Sequence, residues 1–390
     1  MNNLIRIHHM GALAALLLCF STVGNAQQRG LTKARANKLA QEALTAALEA
    51  YRPTATKIWL AKKIRHKDGS EMKFEYKLFG DKPADGRSLY ISLHGGGNAP
   101  AEVNDKQWTN QISLYAPKEG VYVAPRAPTN TWMLWHENHI DDLFDELIKT
   151  AIVMEGVNPN KVYLLGYSAG GDGVFQLAPR MADRWAAASM MAGHPGDAQI
   201  VNLRNLPFAL FMGGLDSAYN RNGLAAIWEK QLDSLQQQDP NGYTHLVRIY
   251  PENGHWMQRK DSVAVDWMAA HVRNAYPDKV IWVQDDRIHK RFYWLGVPTS
   301  EAATGKTLHV RIHNQTVDIL QNDYETCFIY LNDQLVNLDK PILVTYRGKR
   351  IFRGRVKRNA AHIQTSAERL DEGFIYSAKL TLNNGKITID

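Results

Sequence analysis

Residues 161–173 read KVYLLGYSAGGDG. As far as Tyr167 the run is apolar and strand-like, and beyond Gly170 the stretch GDGVFQLAPRMADRW is compatible with a helix. Between them Gly166-Tyr167-Ser168-Ala169-Gly170 forms a G-x-S-x-G turn. A strand that reverses this sharply into a helix leaves no room for side chains beside the serine, hence the glycines. The strain of the turn lifts the hydroxyl above the sheet. Ser168 is therefore a candidate nucleophile, and the test is whether an acid and a histidine follow at the ends of later strands.

Outward from this turn the pattern repeats. Apolar runs SLYISLH (88–94), GVYVAP (120–125), AAASMMA (186–192), PFALFMG (207–213) and HLVRIY (245–250) alternate with helix-compatible stretches such as DDLFDELIKTAIVME and GLAAIWEKQLDSLQQQ. Such alternation specifies an α/β fold, a mostly parallel sheet covered by helices. Asp216 falls just past PFALFMGG and His255 just past HLVRIYPENG. The rival acids Asp197, Glu229, Asp233, Asp239 and Glu252 do not directly follow an apolar strand; His245 opens one, and His271 lies in a helical pattern. The order Ser168, Asp216, His255 is that of a nucleophile, an orienting acid and a general base. At the end of an earlier strand, Leu93-His94-Gly95-Gly96-Gly97 lets backbone N–H groups turn towards a developing oxyanion.

The segments LHGGGNAP, GYSAGGDG, MGGLDSAYNRN and GHWM together resemble the α/β-hydrolase superfamily. They are most similar to secreted bacterial esterases related to polyhydroxybutyrate depolymerases and to feruloyl or acetylxylan esterases. The resemblance spans roughly residues 57–275. It implies Ser168 as nucleophile, His255 as base, Asp216 as its partner, and an oxyanion hole from the N–H of Ala169 with that of Gly96 or Gly97. It also implies a carboxylic ester substrate, from plant polysaccharide or polyester, cleaved without a cofactor. A serine peptidase on the same fold is the alternative, and a non-catalytic binding protein a more distant one. Depolymerases of this group usually carry disulfides and aromatic-rich polymer-binding modules, neither of which is evident in this chain.

Flanking segments add expectations about the pocket and the chain ends. Trp132, Trp135 and His136 in APTNTWMLWHENH follow a strand on the face that bears the serine, and His194 and Trp256 also sit at strand ends. All five are candidate substrate-binding residues, with core packing as the competing role for the tryptophans. His136, Glu137, His139 and Asp141 lack the H-E-x-x-H spacing of a zinc site, so no metal is expected. Residues 1–26 read as a cleaved signal peptide, with Arg6, an apolar stretch GALAALLLCF too short to span a bilayer, and Gly24-Asn25-Ala26. The expected location is the periplasm or the medium. Its removal takes Cys19 and leaves Cys327 without an intrachain partner.

A catalytic unit over residues 27–277 is then followed by a β-rich accessory domain over 278–390, where short runs such as KVIWVQ, TLHVRI and CFIYLN replace the alternation. The 390 residues are 45% hydrophobic and 22% charged, which fits a folded globular chain and excludes a disordered one. Lys and Arg exceed Asp and Glu by 46 to 39, too diffuse an excess to imply nucleic acid. The exception is RGKRIFRGRVKR (Arg347 to Arg358), with seven basic residues and no acid. It reads as a solvated hairpin, with weak contact to an anionic surface as the other possibility.

Overall fold

The computed structural model describes residues 30–389; the segment read as a signal peptide and Cys19 lie outside them. An eight-stranded sheet is built from β1 (Lys63–Arg65), β2 (Glu71–Phe79), β3 (Arg87–Leu93), β4 (Gly120–Arg126), β5 (Val157–Tyr167), β6 (Ala187–Met191), β7 (Phe208–Gly213) and β8 (His245–Tyr250). Its order is β1-β2-β4-β3-β5-β6-β7-β8. The first three neighbours pair antiparallel, and from β4 to β8 every pairing is parallel. Helices α1 (Lys33–Ala61), α2 (Ala101–Gln111), α3 (Ile140–Glu155), α4 (Ala169–Arg180), α5 (Arg221–Gln238) and α6 (Val263–Ala269) complete this half.

Strand alternation sends Leu89, Ile91, Val162 and Leu164 to one buried face, and Tyr90, Tyr163 and Leu165 to the other. With helices on both faces, the central strands are apolar on both, which is why they read as continuous hydrophobic runs. All parallel strands point their C-terminal ends the same way, so the loops after β3, β5, β7 and β8 gather on one rim. That rim carries the glycine run, Ser168, Asp216 and His255.

Residues 31–51, rich in Ala, Leu, Glu and Lys without Gly or Pro, predict a helix that then gives way to strands, and the structure differs at its end. KIWLAKKIRH reads as a strand, but α1 continues through Pro53 to Ala61, and only Lys62, in a left-handed conformation (φ 48°), stops it. Packing overrides the proline: Trp59 is buried against Phe74 and Tyr76, and its indole N–H donates to Glu155.

Beyond Lys279 lie two five-stranded sheets. One runs β10 (Arg291–Phe292), β11 (Leu295–Gly296), β14 (Thr326–Leu331), β17 (Ala378–Asn383), β18 (Lys386–Ile389). The other runs β16 (Lys349–Gly354), β15 (Ile342–Tyr346), β13 (Thr316–Asn322), β12 (Thr307–His313), β9 (Lys279–Val283). A short helix, α7 (Ala360–Ala367), sits among them and interrupts an otherwise β pattern. The basic run forms the β15–β16 hairpin around Arg347 and Gly348, and β16 is a sheet edge, where charge discourages pairing with other chains.

This β-rich part does not hang free. The apolar core continues from Leu164 and Leu210 into Val280, Trp294, Val310 and Leu380. Asp371 accepts from Arg184 (3.2 Å) and Arg273 (2.9 Å), all three side chains being at most 2% exposed. Asp141 bridges Arg180 (2.5 Å) and His289 (2.7 Å) across the same seam.

Candidate active site

Ser168 occupies φ 59°, ψ −124° between β5 and α4, a region L-residues avoid, at a cost of order 1–3 kcal/mol. The surrounding glycines are required: a Cβ on Gly166 would overlap the Gly170 backbone, and one on Gly170 the Leu93 carbonyl. Ser168 Oγ lies 2.9 Å from His255 Nε2, and His255 Nδ1 lies 2.7 Å from Asp216 Oδ2. With Nδ1–H donating to the carboxylate, Nε2 is left as the acceptor for the serine proton. Asp216 is buried, held by its own N–H to Gly213 and by the Asn222 N–H to its carbonyl, with Arg221 at 3.7 Å. The fold thus brings together the three residues singled out from the sequence.

His255 is held by a residue that occupies the variable position of the G-x-S-x-G turn. The Tyr167 hydroxyl donates to the His255 carbonyl (2.6 Å) and accepts from the Met257 N–H (2.9 Å). Burial raises the phenol well above its ordinary pKa, so it stays a donor. Sequence reasoning passes over Tyr167 because the motif places no demand there.

Of the two glycines considered for the oxyanion hole, one is otherwise engaged. The Gly97 N–H donates to Asn104 Oδ1 (2.8 Å), so it is withdrawn from the candidate set. Asn104 is fully buried and also donates to the carbonyls of Ala99 (3.0 Å) and Pro100 (3.3 Å), which braces the loop. Gly96, at φ 110°, and Ala169, at the first turn of α4, keep N–H groups without a protein acceptor among the described residues. Ser168 Cβ lies 3.1 Å from where a Gly95 side chain would begin, so this loop lies directly over the nucleophile. Beneath it His94 is fully buried: Nδ1 donates to the Gly95 carbonyl (2.6 Å) and Nε2 accepts the Ala127 N–H (3.1 Å). Burial lowers its pKa to about 4, so the ring is neutral and its tautomer fixed.

The remaining pocket candidates separate. Trp135 is fully buried, donates its indole N–H to the His94 carbonyl (2.8 Å) and so supports the glycine loop; it does not reach substrate. His136 is turned from the cleft to the Arg180 and Asp286 cluster, its carbonyl accepting from Arg180. His194 is tied by its N–H to Asp172 Oδ1 (2.6 Å) and does not line the cleft. Trp132 is half-exposed and packs on Tyr219 from the acid loop, their rings 5.3 Å apart. Trp256, also half-exposed, packs on Tyr167 and lines a cleft of about 780 Å³ that reaches Ser168 and His255. Asp172, unremarked in the sequence, is pushed up to about 6 by burial, near Arg221 and His255. Among the described residues no group of three His, Cys, Asp or Glu is arranged to hold a metal. His139 instead faces Asp68 (3.4 Å) and Glu137 (3.5 Å).

Sheet order, elbow and rim are those of the α/β-hydrolase fold. Residues 114–284, which contain Ser168, Asp216 and His255, match the model of the Dienelactone hydrolase family. No curated protein sequence matches the chain. Similar solved structures include a thermostable esterase (16% identity, TM-score 0.40), covering 54% of this chain and 62% of its own. A ferulic acid esterase (15%, TM-score 0.37) covers 53% of this chain and 94% of its own. A carboxylesterase of Bacillus cereus (16%, TM-score 0.36) covers 51% and 94%. The chain thus spans less than two thirds of the length of the first of these.

Proposed function

We propose that the chain is an exported serine esterase that cleaves carboxylic esters through an acyl-enzyme. The observation that carries this reading is the unbroken relay from Ser168 Oγ through His255 to Asp216, beside the unengaged N–H groups of Gly96 and Ala169. His255 takes the serine proton as Oγ attacks the ester carbonyl, and Asp216 stabilises the imidazolium. The tetrahedral oxyanion is met by the two N–H groups, and collapse passes the proton from His255 to the departing alkoxide. Water then repeats the sequence and releases the acid. Plant-polysaccharide esters or polyesters are the substrate class that the sequence resemblance favours, and the N-terminal 26 residues support export to the periplasm or beyond.

Hydrolysis of a p-nitrophenyl series from acetate to octanoate, plus a ferulate ester, tests the reading with the wild type and Ser168→Ala. Turnover by the wild type alone is expected. Absence of turnover with every ester, or equal rates for both proteins, overturns it; cleavage of peptides in place of esters assigns the triad to a peptidase.

A further inference from the structure

The cleft beside Ser168 offers little aliphatic surface. Leu114 is the one aliphatic side chain among the residues that line it. Helix α2 forms one wall with Gln107 and Asn110, three residues apart and so on one helical face. Other amides of the same helix are spent on structure: Asn104 braces the glycine loop, and Gln111 Nε2 donates to Ser92 Oγ at 2.7 Å. The side-chain amides of Gln107 and Asn110 form no hydrogen bond with any described residue. Gln107 Oε1 lies 3.7 Å from the position a Gly95 Cβ would take, which puts this amide within reach of a group bonded at Ser168. In the same cleft is Trp256, its ring packed on Tyr167 yet 51% exposed. The Arg259 guanidinium, donating to the Leu114 carbonyl (2.7 Å), ties the end of the His255 loop to the segment after α2.

An alkyl chain laid along this wall would strip water from two amides and return no hydrogen bond to either. Neighbouring hydroxyls on a ring do the opposite, because each both donates and accepts, as a carboxamide does. An exposed indole offers a flat apolar surface for the C–H face of such a ring. We infer that Gln107 and Asn110 are specificity-determining residues that, with Trp256, hold a sugar ring of the substrate's alcohol portion. The inference rests on the esterase reading above and narrows it from polysaccharide or polyester esters to esters of carbohydrates. Gln107 and Asn110 discriminate against alkyl esters by remaining unpaired when one binds.

Binding and turnover test this separately. The full chain carrying Ser168→Ala is titrated with xylotetraose and cellotetraose by calorimetry, alone and with Gln107→Leu and Asn110→Leu added. At least one oligosaccharide binds the parent, and the added pair weakens it by about tenfold or more. The amide-retaining exchange Gln107→Asn with Asn110→Gln keeps more of the affinity than the leucine pair, with thermal midpoints verifying that each variant is folded. In the Ser168 enzyme, the ratio of kcat/KM for a sugar acetate to that for butyl acetate falls about tenfold in the leucine pair. No binding of either oligosaccharide, or equal binding and an unchanged ratio in the leucine pair, overturns the inference. If neither acetate is turned over while oligosaccharide binding is lost in the leucine pair, the subsite stands and the esterase reading falls.

Discussion

Tyr167→Phe removes one oxygen and leaves the ring that packs against His255 and Trp256. That oxygen serves two backbone groups of the histidine loop, the His255 carbonyl at 2.6 Å and the Met257 N–H at 2.9 Å. Met257 is fully buried, so water does not simply replace the hydroxyl. Leaving two such groups unsatisfied costs about 2–4 kcal/mol if the loop stays in place. If it moves instead, His255 leaves the 2.9 Å contact with Ser168, and a displacement of about 1 Å in a reacting group costs on the order of 10²-fold in rate. The expected result is therefore a kcat/KM for p-nitrophenyl acetate lowered about 10- to 100-fold together with a lower urea midpoint. A phenylalanine variant within about twofold of wild type in kcat/KM and unchanged in midpoint would refute the assignment of Tyr167 as the anchor of the base.

Gly96→Ala places a Cβ on Asn104 Oδ1 at a φ of 110°, so the glycine loop must shift; kcat should fall by about 10² to 10³ with a smaller change in KM. Asp371→Ala leaves buried Arg273 without its ion-pair partner and Arg184 with Asp145 alone, and chemical denaturation should show a loss of about 3–5 kcal/mol. Two buried groups oppose one another in acid. His94, depressed from 6.5 to about 4, contributes stability that is present above pH 6.5 and lost as pH falls through 4. Asp172, raised from 3.8 to about 6, contributes stability that is present below 3.8 and lost as pH rises through 6. Asp172→Asn removes the second effect and exposes the first. The variant's stability relative to wild type should therefore rise by about 2–3 kcal/mol between pH 4 and pH 6.5, and a pH-independent difference in unfolding free energy would contradict the Asp172 assignment.

The parallel strands and the residues at their ends were legible because each is a local pattern: an apolar run, then a glycine, serine, acid or histidine where the run stops. What escaped depended on distant partners. Gly97 and Gly96 look alike in sequence, and only Asn104 on the next helix distinguishes them, by taking the N–H of Gly97. Trp132 and Trp135 share one loop, yet one pairs with Tyr219 at the surface while the other is drawn under His94. Pro53 signals a helix end in isolation, and the contacts of Trp59 with Phe74 and Tyr76 carry the helix past it. In the C-terminal half the alternating runs predicted strands, while α7, capped by Asn359, depends on the α1 face it packs against through Ile363 and Ala367.

The seam between the two halves also constrains when the folded chain can exist during its own synthesis. Arg184 and Arg273 emerge from the ribosome long before Asp371, and α1 long before α7. Until the final twentieth or so of the chain is made, the rim of Ser168, Asp216 and His255 would rest on a scaffold in which buried Arg273 has no ion-pair partner and Arg184 has only Asp145. Sequences cut between Arg273 and Asp371 retain Ser168, Asp216 and His255 and lack the carboxylate that pairs with Arg273. Truncated forms should thus be found in aggregates or degraded, and activity should first arise only when the chain is nearly complete.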